Sequence, residues 1–250
     1  MAGVLTIPPP LRAGGDEDPA AGSVQLSLVA GFELRCGGAP VSLPMGAKRL
    51  LAFLALHERP LPRSHVAESL WPDVPDRRAW ANLRSALWRL GPLRERVIEQ
   101  AGDQLALAAA VDVDARRASR IASGLVAGVV VDAAVADQRI FEGELLPGWS
   151  EEWLSTERER HRQQGLLALE LLCERLSAQG RYRSAISAGL AAAVCDPLRE
   201  SAHQAVIAAH LAAGNVTEAV RQFERFERLV KRELGLEPSD GLKRLVSALW

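Results

Sequence analysis

The stretch from Arg77 to Leu90, RRAWANLRSALWRL, carries four arginines and no acidic residue. Trp80, Leu83, Leu87 and Leu90 recur at helical spacing and predict one apolar stripe facing a core. The side opposite takes Arg78, Ala81, Asn82, Ser85 and Arg89, with Arg77, Arg84 and Trp88 on the flanks. Guanidinium groups grip phosphates and guanine edges, and amides grip adenine, so this set suits a nucleic-acid groove. The bland alternative, a solvated surface helix, fits the same charge pattern. On the first reading Asn82, Ser85 and Arg89 are candidates for base edges, with phosphate contact as the alternative. Arg77, Arg78 and Arg84 read as phosphate clamps, and Arg96 adds a basic group downstream. Trp88 has two readings: a cover for a thymine methyl or a sugar, or a side chain packed against its own domain, the commoner fate.

Other chemistry finds little support. There is no G-x-x-x-x-G-K-[ST] and no G-x-S-x-G, so neither a phosphate cradle nor a nucleophile elbow is predicted. Glu151 and Glu152 are adjacent and diverge around a helix; they suit its N-terminus better than acid–base work. His203 and His210 lack a companion at ligand spacing. Cys36, Cys173 and Cys195 are far apart and form no C-x-x-C pair, as expected of reduced core residues in a cytoplasmic protein. No enzyme activity, cofactor, metal or membrane span is expected.

A net charge of −1 over 250 residues gives no global electrostatic signature. The asymmetry is local: between Arg77 and Arg96 six arginines face Glu95 alone. Hydrophobic content of 48% and this length allow two domains with cores of their own.

The elements that must position the basic helix follow from the pattern around it. Residues 1–22, rich in Pro, Gly, Ala and Asp, read as a disordered tail. VQLSLVA, FELRC and APVSL alternate and predict two or three short strands, with Gly37-Gly38 as a tight turn. A helix is expected over Gly46–Arg59, stopped by Pro60 and Pro62. A second, HVAESLW, has Ser64 as its expected N-cap. Pro72-Asp73-Val74-Pro75-Asp76 must be a loop, since Pro75 restricts its neighbour and lacks an N–H. The basic helix then ends at Gly91-Pro92, and RVIEQ and QLALA form a hairpin. Strands, three helices and a hairpin make a winged helix-turn-helix over 23–112, with the third helix for the major groove and the hairpin as wing.

From residue 113 to 250 the chain reads as all-α. Short amphipathic pieces are expected over Arg116–Gly124 and Ala133–Phe141, then a long helix over Ser150–Gln179 with Ser150 as N-cap and Trp149 and Trp153 packing between helices. Gly180 and Ala185 repeat as Gly214 and Ala219, 34 positions later, the period of a tetratricopeptide helix pair. The amphipathic GLKRLVSALW terminus suits a cap.

Taken in order, these features resemble the Streptomyces antibiotic regulatory protein type of bacterial activator, a winged helix followed by a bacterial transcriptional activator domain. The resemblance is carried by Pro44–Leu56, Glu68-Ser69-Leu70-Trp71, Leu83-Arg84, Arg89-Leu90 and Val111-Asp112. Later come Pro147-Gly148-Trp149 with Trp153, Asp196-Pro197-Leu198-Arg199-Glu200, and Glu233-Leu234-Gly235-Leu236-Glu237-Pro238. It implies binding to double-stranded promoter DNA at direct repeats, as a dimer or larger array. It also implies recruitment of RNA polymerase holoenzyme and control of an antibiotic gene cluster. The loop carrying Asp73, Val74 and Asp76 corresponds to one that tends to face polymerase in this fold. The chain departs from the family at its wing tip, Gly102-Asp103-Gln104, and in the early end of its third helix. Two rivals use the same fold: a tetratricopeptide adaptor that has lost DNA binding, and a repressor that occludes promoters.

Overall fold

The computed structural model describes residues 22–129, 132 and 137–247. The expected N-terminal tail, apart from Gly22, lies outside these residues, as do 133–136 and the last three positions. The first half opens with β1 (Val24–Ser27), β2 (Glu33–Cys36) and β3 (Ala39–Val41). Gly37 and Gly38, both at positive φ (54° and 80°), make the expected tight turn. Then follow α1 (Met45–Leu56), β4 (Leu61–Pro62), α2 (Arg63–Leu70), α3 (Asp76–Arg89) and the short α4 (Arg94–Val97). The wing is β5 (Ile98–Ala101) and β6 (Gln104–Leu107), turning at Gly102 (φ 59°). β4 joins it to make a sheet of order β4-β6-β5. The fold is a winged helix-turn-helix, mainly α with small β, followed by an all-α helical repeat.

One strand escapes the alternation pattern. β7 (Val111–Val113) pairs parallel to β1, Val24 with Val111 and Leu26 with Val113, giving the first sheet the order β3-β2-β1-β7. Three residues carry too little periodicity to announce a strand, and parallel pairing across more than 80 positions leaves no local mark. Both expected serine caps are absent. α2 starts at Arg63 behind Pro62, without a side-chain cap. The long helix of the second half starts at Glu152, with Glu151 at its N-cap position. Proline pre-sets φ for the first of these starts, and Glu151 is drawn to Arg49 of α1 at 2.5 Å.

The second half comprises α5 (Asp114–Ala127), α6 (Arg139–Glu142), α7 (Glu152–Ala178), α8 (Tyr182–Cys195), α9 (Glu200–Ala212), α10 (Val216–Leu234) and α11 (Asp240–Ser247). The two glycines 34 positions apart behave alike. Gly180 and Gly214 sit at φ 73° and 75°, and the next residue donates back five positions, Arg181 N–H to Leu176 O and Asn215 N–H to His210 O, both at 2.8 Å. Each is the left-handed helix terminus that favours glycine. Ala185 and Ala219, five residues on, are fully buried. Gly189 lets α8 approach α9, since a Cβ there would meet Val206 Cγ2 at 2.7 Å. Arg199 grips the buried Glu170 with two donors (2.6 and 3.1 Å), and Ser201 adds a third. No helix among the described residues is long and apolar enough to cross a membrane.

The halves share a core. Leu145, Leu146 and Leu154 are buried in the same cluster as the residues of β1, α1, α2 and α3. Trp153 meets the Phe53 ring of α1 edge-on at 5.2 Å, and Trp149 stacks on Phe32 at 6.0 Å. A strap over 143–146 lies against the end of β1: Ala30 N–H donates to Glu144 O, Leu146 N–H donates to Leu28 O, and Val29 bridges Leu145. Gly143 must be glycine there, because a Cβ would meet Val29 Cγ1 at 2.4 Å. Leu146 is held at φ 47°, and Arg158 donates to its carbonyl and to those of Leu145 and Trp149.

Burial lowers the pKa of His161, His203 and His210. The His203 ring is buried against Phe226 at 4.3 Å with its Nδ1 facing the Gln222 amide at 2.9 Å; burial and then Arg225 lower its pKa, and the contact of Nε2 with Pro197 O at 3.0 Å pulls it back only in part. A histidine whose folded pKa is depressed folds best when neutral. Its contribution is complete above the unfolded value of about 6.5 and is lost as pH falls below that value. Urea midpoints should therefore fall between roughly pH 7.5 and 5.5, and His203→Gln should show a shallower fall. A midpoint that rises over this window would contradict the assignment.

Candidate nucleic-acid interface

The third helix begins where Pro75 allows it, with Pro75 O accepting from Arg78 and Ala79 N–H, and Asp76 complementing the helix N-terminus. It ends at Gly91, whose φ of 53° turns the chain into a 3-10 segment over Gly91–Leu93. Its buried residues are Ala79, Leu83, Ala86 and Leu87, with Leu90 just beyond. Trp80 is only half-buried. The helix is thus rotated from the expected stripe. Ala79 and Ala86 let α3 lie close against α1 and α2, and a tryptophan cannot take that place.

The rotation rearranges the candidates. Arg77, Ala81, Arg84 and Trp88 form the outermost ridge, with Arg78 and Ser85 beside it; all six are exposed. Trp88 is 75% exposed, so it is not packed against its own domain, and Arg89 lies 5.7 Å over its ring. Asn82 is half-buried and turns with Ser85 and Arg89 toward an open groove of about 330 Å3. Across that groove stand Pro44, Gly46 and Ala47 at the N-terminal end of α1.

Arg96 is the candidate that moves furthest from expectation. It lies in α4, before the hairpin, and donates to Gly22 O. The wing is held by residues the spacing did not single out. Gln100 Oε1 accepts from Arg63 at 2.7 Å and Arg94 at 2.9 Å, and Arg63 N–H donates to Asp103 O. Arg63 and Gln100 are 37 positions apart, and no local pattern pairs them. In the loop before α3, Asp73 and Asp76 are exposed, whereas Val74 is half-buried against the core.

Electrostatics separate this face from the rest of the chain. Among the described residues Arg77, Arg78 and Arg84 have no carboxylate, carbonyl or ring partner, and Arg89 has only Trp88. Many arginines of the second half are engaged: Arg117 with Asp112 and Asp137, Arg162 with Glu159 and Asp196, Arg199 with Glu170. The arginines there without such a partner among the described residues, such as Arg120, Arg183 and Arg244, are not on one helix face together. Three neighbouring guanidiniums left without counter-charge form a surface suited to a polyanion.

This placement has a stability signature. Trp88→Ala should change the unfolding free energy by no more than about 0.5 kcal/mol, while Leu83→Ala should cost about 2–5 kcal/mol, both read from urea melts. A cost for Trp88→Ala equal to that for Leu83→Ala would return Trp88 to the domain's interior.

Comparison with known proteins now adds to this geometry. The bacterial transcriptional activator domain family matches residues 108–249. Regulatory protein AfsR of Streptomyces coelicolor is 29% identical over 209 residues, covering 79% of this chain and 21% of that protein. The chain thus spans about a fifth of that relative's length. A solved structure of Mycobacterium tuberculosis EmbR, in complex with a low-affinity phosphopeptide, superposes with a TM-score of 0.70 at 19% identity, over 90% of this chain and 64% of that one. The fold is therefore shared over almost the whole chain. By the first of these matches the chain belongs to the bacterial transcriptional activator domain family, its matched region preceded here by a winged helix.

Proposed function

We propose that the chain is a sequence-specific DNA-binding activator. It sets α3 in the major groove of promoter repeats and recruits RNA polymerase holoenzyme to a secondary-metabolite gene cluster. The observation that carries this reading is the unpaired basic ridge of α3, in a chain whose other arginines are largely spent on carboxylates and carbonyls. The burial pattern favours a split of roles opposite to the one expected from spacing. Arg77, Arg84 and Trp88 face outermost and suit base edges, Trp88 through a thymine methyl, with Arg78 and Ser85 beside them. Asn82 and Arg89 line the groove whose far side is the first turn of α1, where the positive end of that helix and a guanidinium suit one phosphate. The wing, fixed by Gln100 to Arg63 and Arg94, supports contact with the flanking backbone. Exposed Asp73 and Asp76 supply an acidic surface for polymerase, and Val74 anchors their loop. The tetratricopeptide-like half suits the contacts between protomers that tandem sites require.

Selection of bound fragments from a random DNA pool tests this, with wild type, Arg84→Ala and Arg89→Ala in parallel. Wild type should enrich a spaced direct repeat. Arg84→Ala should cost about 1–3 kcal/mol and relax one base position, whereas Arg89→Ala should weaken all sequences alike and lower the salt slope by about 1. Enrichment of no sequence by folded wild-type protein would overturn the reading in favour of an adaptor.

A further inference from the structure

Arg49 of α1 reaches three parts of the molecule at once. Its Nη2 atom donates at 2.6 Å to the carbonyl of Leu70, the last residue of α2, and at 2.5 Å to Glu151 Oε2 at the start of α7. Its guanidinium carbon lies over the Trp71 ring, 5.9 Å from the centroid. The Arg49 and Glu151 side chains are 22% and 20% exposed, so salt does little to screen the pair. Both residues forgo local satisfaction to meet. Arg49 Nε is closed to solvent and has no hydrogen-bond partner, which costs free energy in an interior. Glu151 occupies the N-cap position of α7, yet its side chain caps no N–H of that helix. A guanidinium placed only for its own hydrogen bonds would not leave a buried donor idle.

What Arg49 holds borders the basic face. Trp71 is half-buried and lines the groove between α1 and α3, together with Asn82, Ser85 and Arg89. The outer ridge of Arg77, Arg84 and Trp88 does not line that groove. We propose that Arg49 is a positioning residue for this groove: it fixes the Trp71 ring as a wall, and Glu151 fixes Arg49. The helical-repeat half thereby sets how well the groove grips a DNA phosphate, and leaves the outer ridge alone. Linkage makes the effect reciprocal, so a phosphate in the groove tightens Arg49 on Glu151. This rests on the reading of α3 as a DNA-binding helix and adds its dependence on the second half. An effect of charge alone has the opposite sign. Removal of the Glu151 carboxylate would leave more positive charge near the groove and strengthen binding to a polyanion, whereas loss of positioning weakens it.

Charge-conserving variants of the full chain separate the two, with affinity for a wild-type-enriched duplex read by fluorescence anisotropy. Arg49→Lys exchanges the planar fork for a point charge that cannot hold carbonyl, carboxylate and ring together. Glu151→Asp is one methylene shorter and suits an N-cap position, so α7 keeps its start. Each should weaken binding about fivefold, the factor of one ordinary hydrogen bond. The salt slope should stay unchanged, and urea melts should show folded protein under the assay conditions. Combined with Arg89→Ala in the groove, either loss should fall short of the product of the single losses. Combined with Arg84→Ala on the ridge, the losses should multiply. A merely structural role would multiply with both. Wild-type affinity in Glu151→Asp, or multiplication with Arg89→Ala as with Arg84→Ala, would overturn the positioning role and leave DNA binding standing. Failure of the wild type to enrich any duplex would overturn the reading of α3 and the positioning role with it.

Discussion

Two side chains at the start of α5 hold the molecule together across its middle. Asp114 is a carboxylate 8% exposed, and it accepts from the backbone N–H groups of Leu28 (2.9 and 3.0 Å), Val29 (3.1 Å) and Ala115 (2.7 Å). Burial pushes its pKa up, and these N–H groups and Arg117 pull it back. Two residues on, Arg116 donates to the carbonyls of Leu54, Ala55 and His57 at 2.8–3.0 Å. They lie at the C-terminal end of α1, where carbonyls run out of helical N–H partners; Leu54 O also accepts from His57 N–H. The first turn of the second half therefore satisfies the end of β1 and the end of α1 together. Removal of either side chain leaves buried backbone groups without partners, which costs more than one ordinary hydrogen bond.

The basic face of α3 depends on this joint through α1. α1 carries the seam at one end and at the other faces the groove that Asn82, Ser85 and Arg89 line. α3 takes its orientation by packing Ala79 and Ala86 toward α1 and α2. A helix fixed at its C-terminus by Arg116, along its length by Trp153 on Phe53, and by Arg49 on Glu151 has little freedom to tilt. The angle at which α3 presents its basic ridge is thus set partly by the helical-repeat half. A linker-joined module would lack that constraint.

Much of the fold was legible because its signals are local. Gly37-Gly38, Pro75, Gly91 and Gly102 punctuate the winged helix where the backbone needs them, and Gly180 and Gly214 mark equivalent helix ends. The basic helix is legible from its apolar spacing and its charge, yet its rotation is not. Periodicity weighted Trp80 as core, whereas burial follows the two alanines that permit close approach. The serine caps fail because Pro62 presets φ where α2 starts, whereas Glu151 is held by the distant Arg49. β7, the Asp114–Leu28 contact 86 positions apart, and the grip of Gln100 on Arg63 are long-range facts with no local trace. Asp196-Pro197-Leu198-Arg199-Glu200 was legible only by family resemblance; its reason is structural, Arg199 on Glu170 and Glu200 accepting from Ser239 N–H at 3.0 Å.

Differential scanning calorimetry tests most directly whether the two halves are one body. With a shared core and the Asp114–Arg116 joint, wild type should melt in a single transition whose calorimetric and van't Hoff enthalpies agree. Asp114→Ala should lower that transition and resolve it into two. Two separate transitions already present in the wild-type chain would contradict the account.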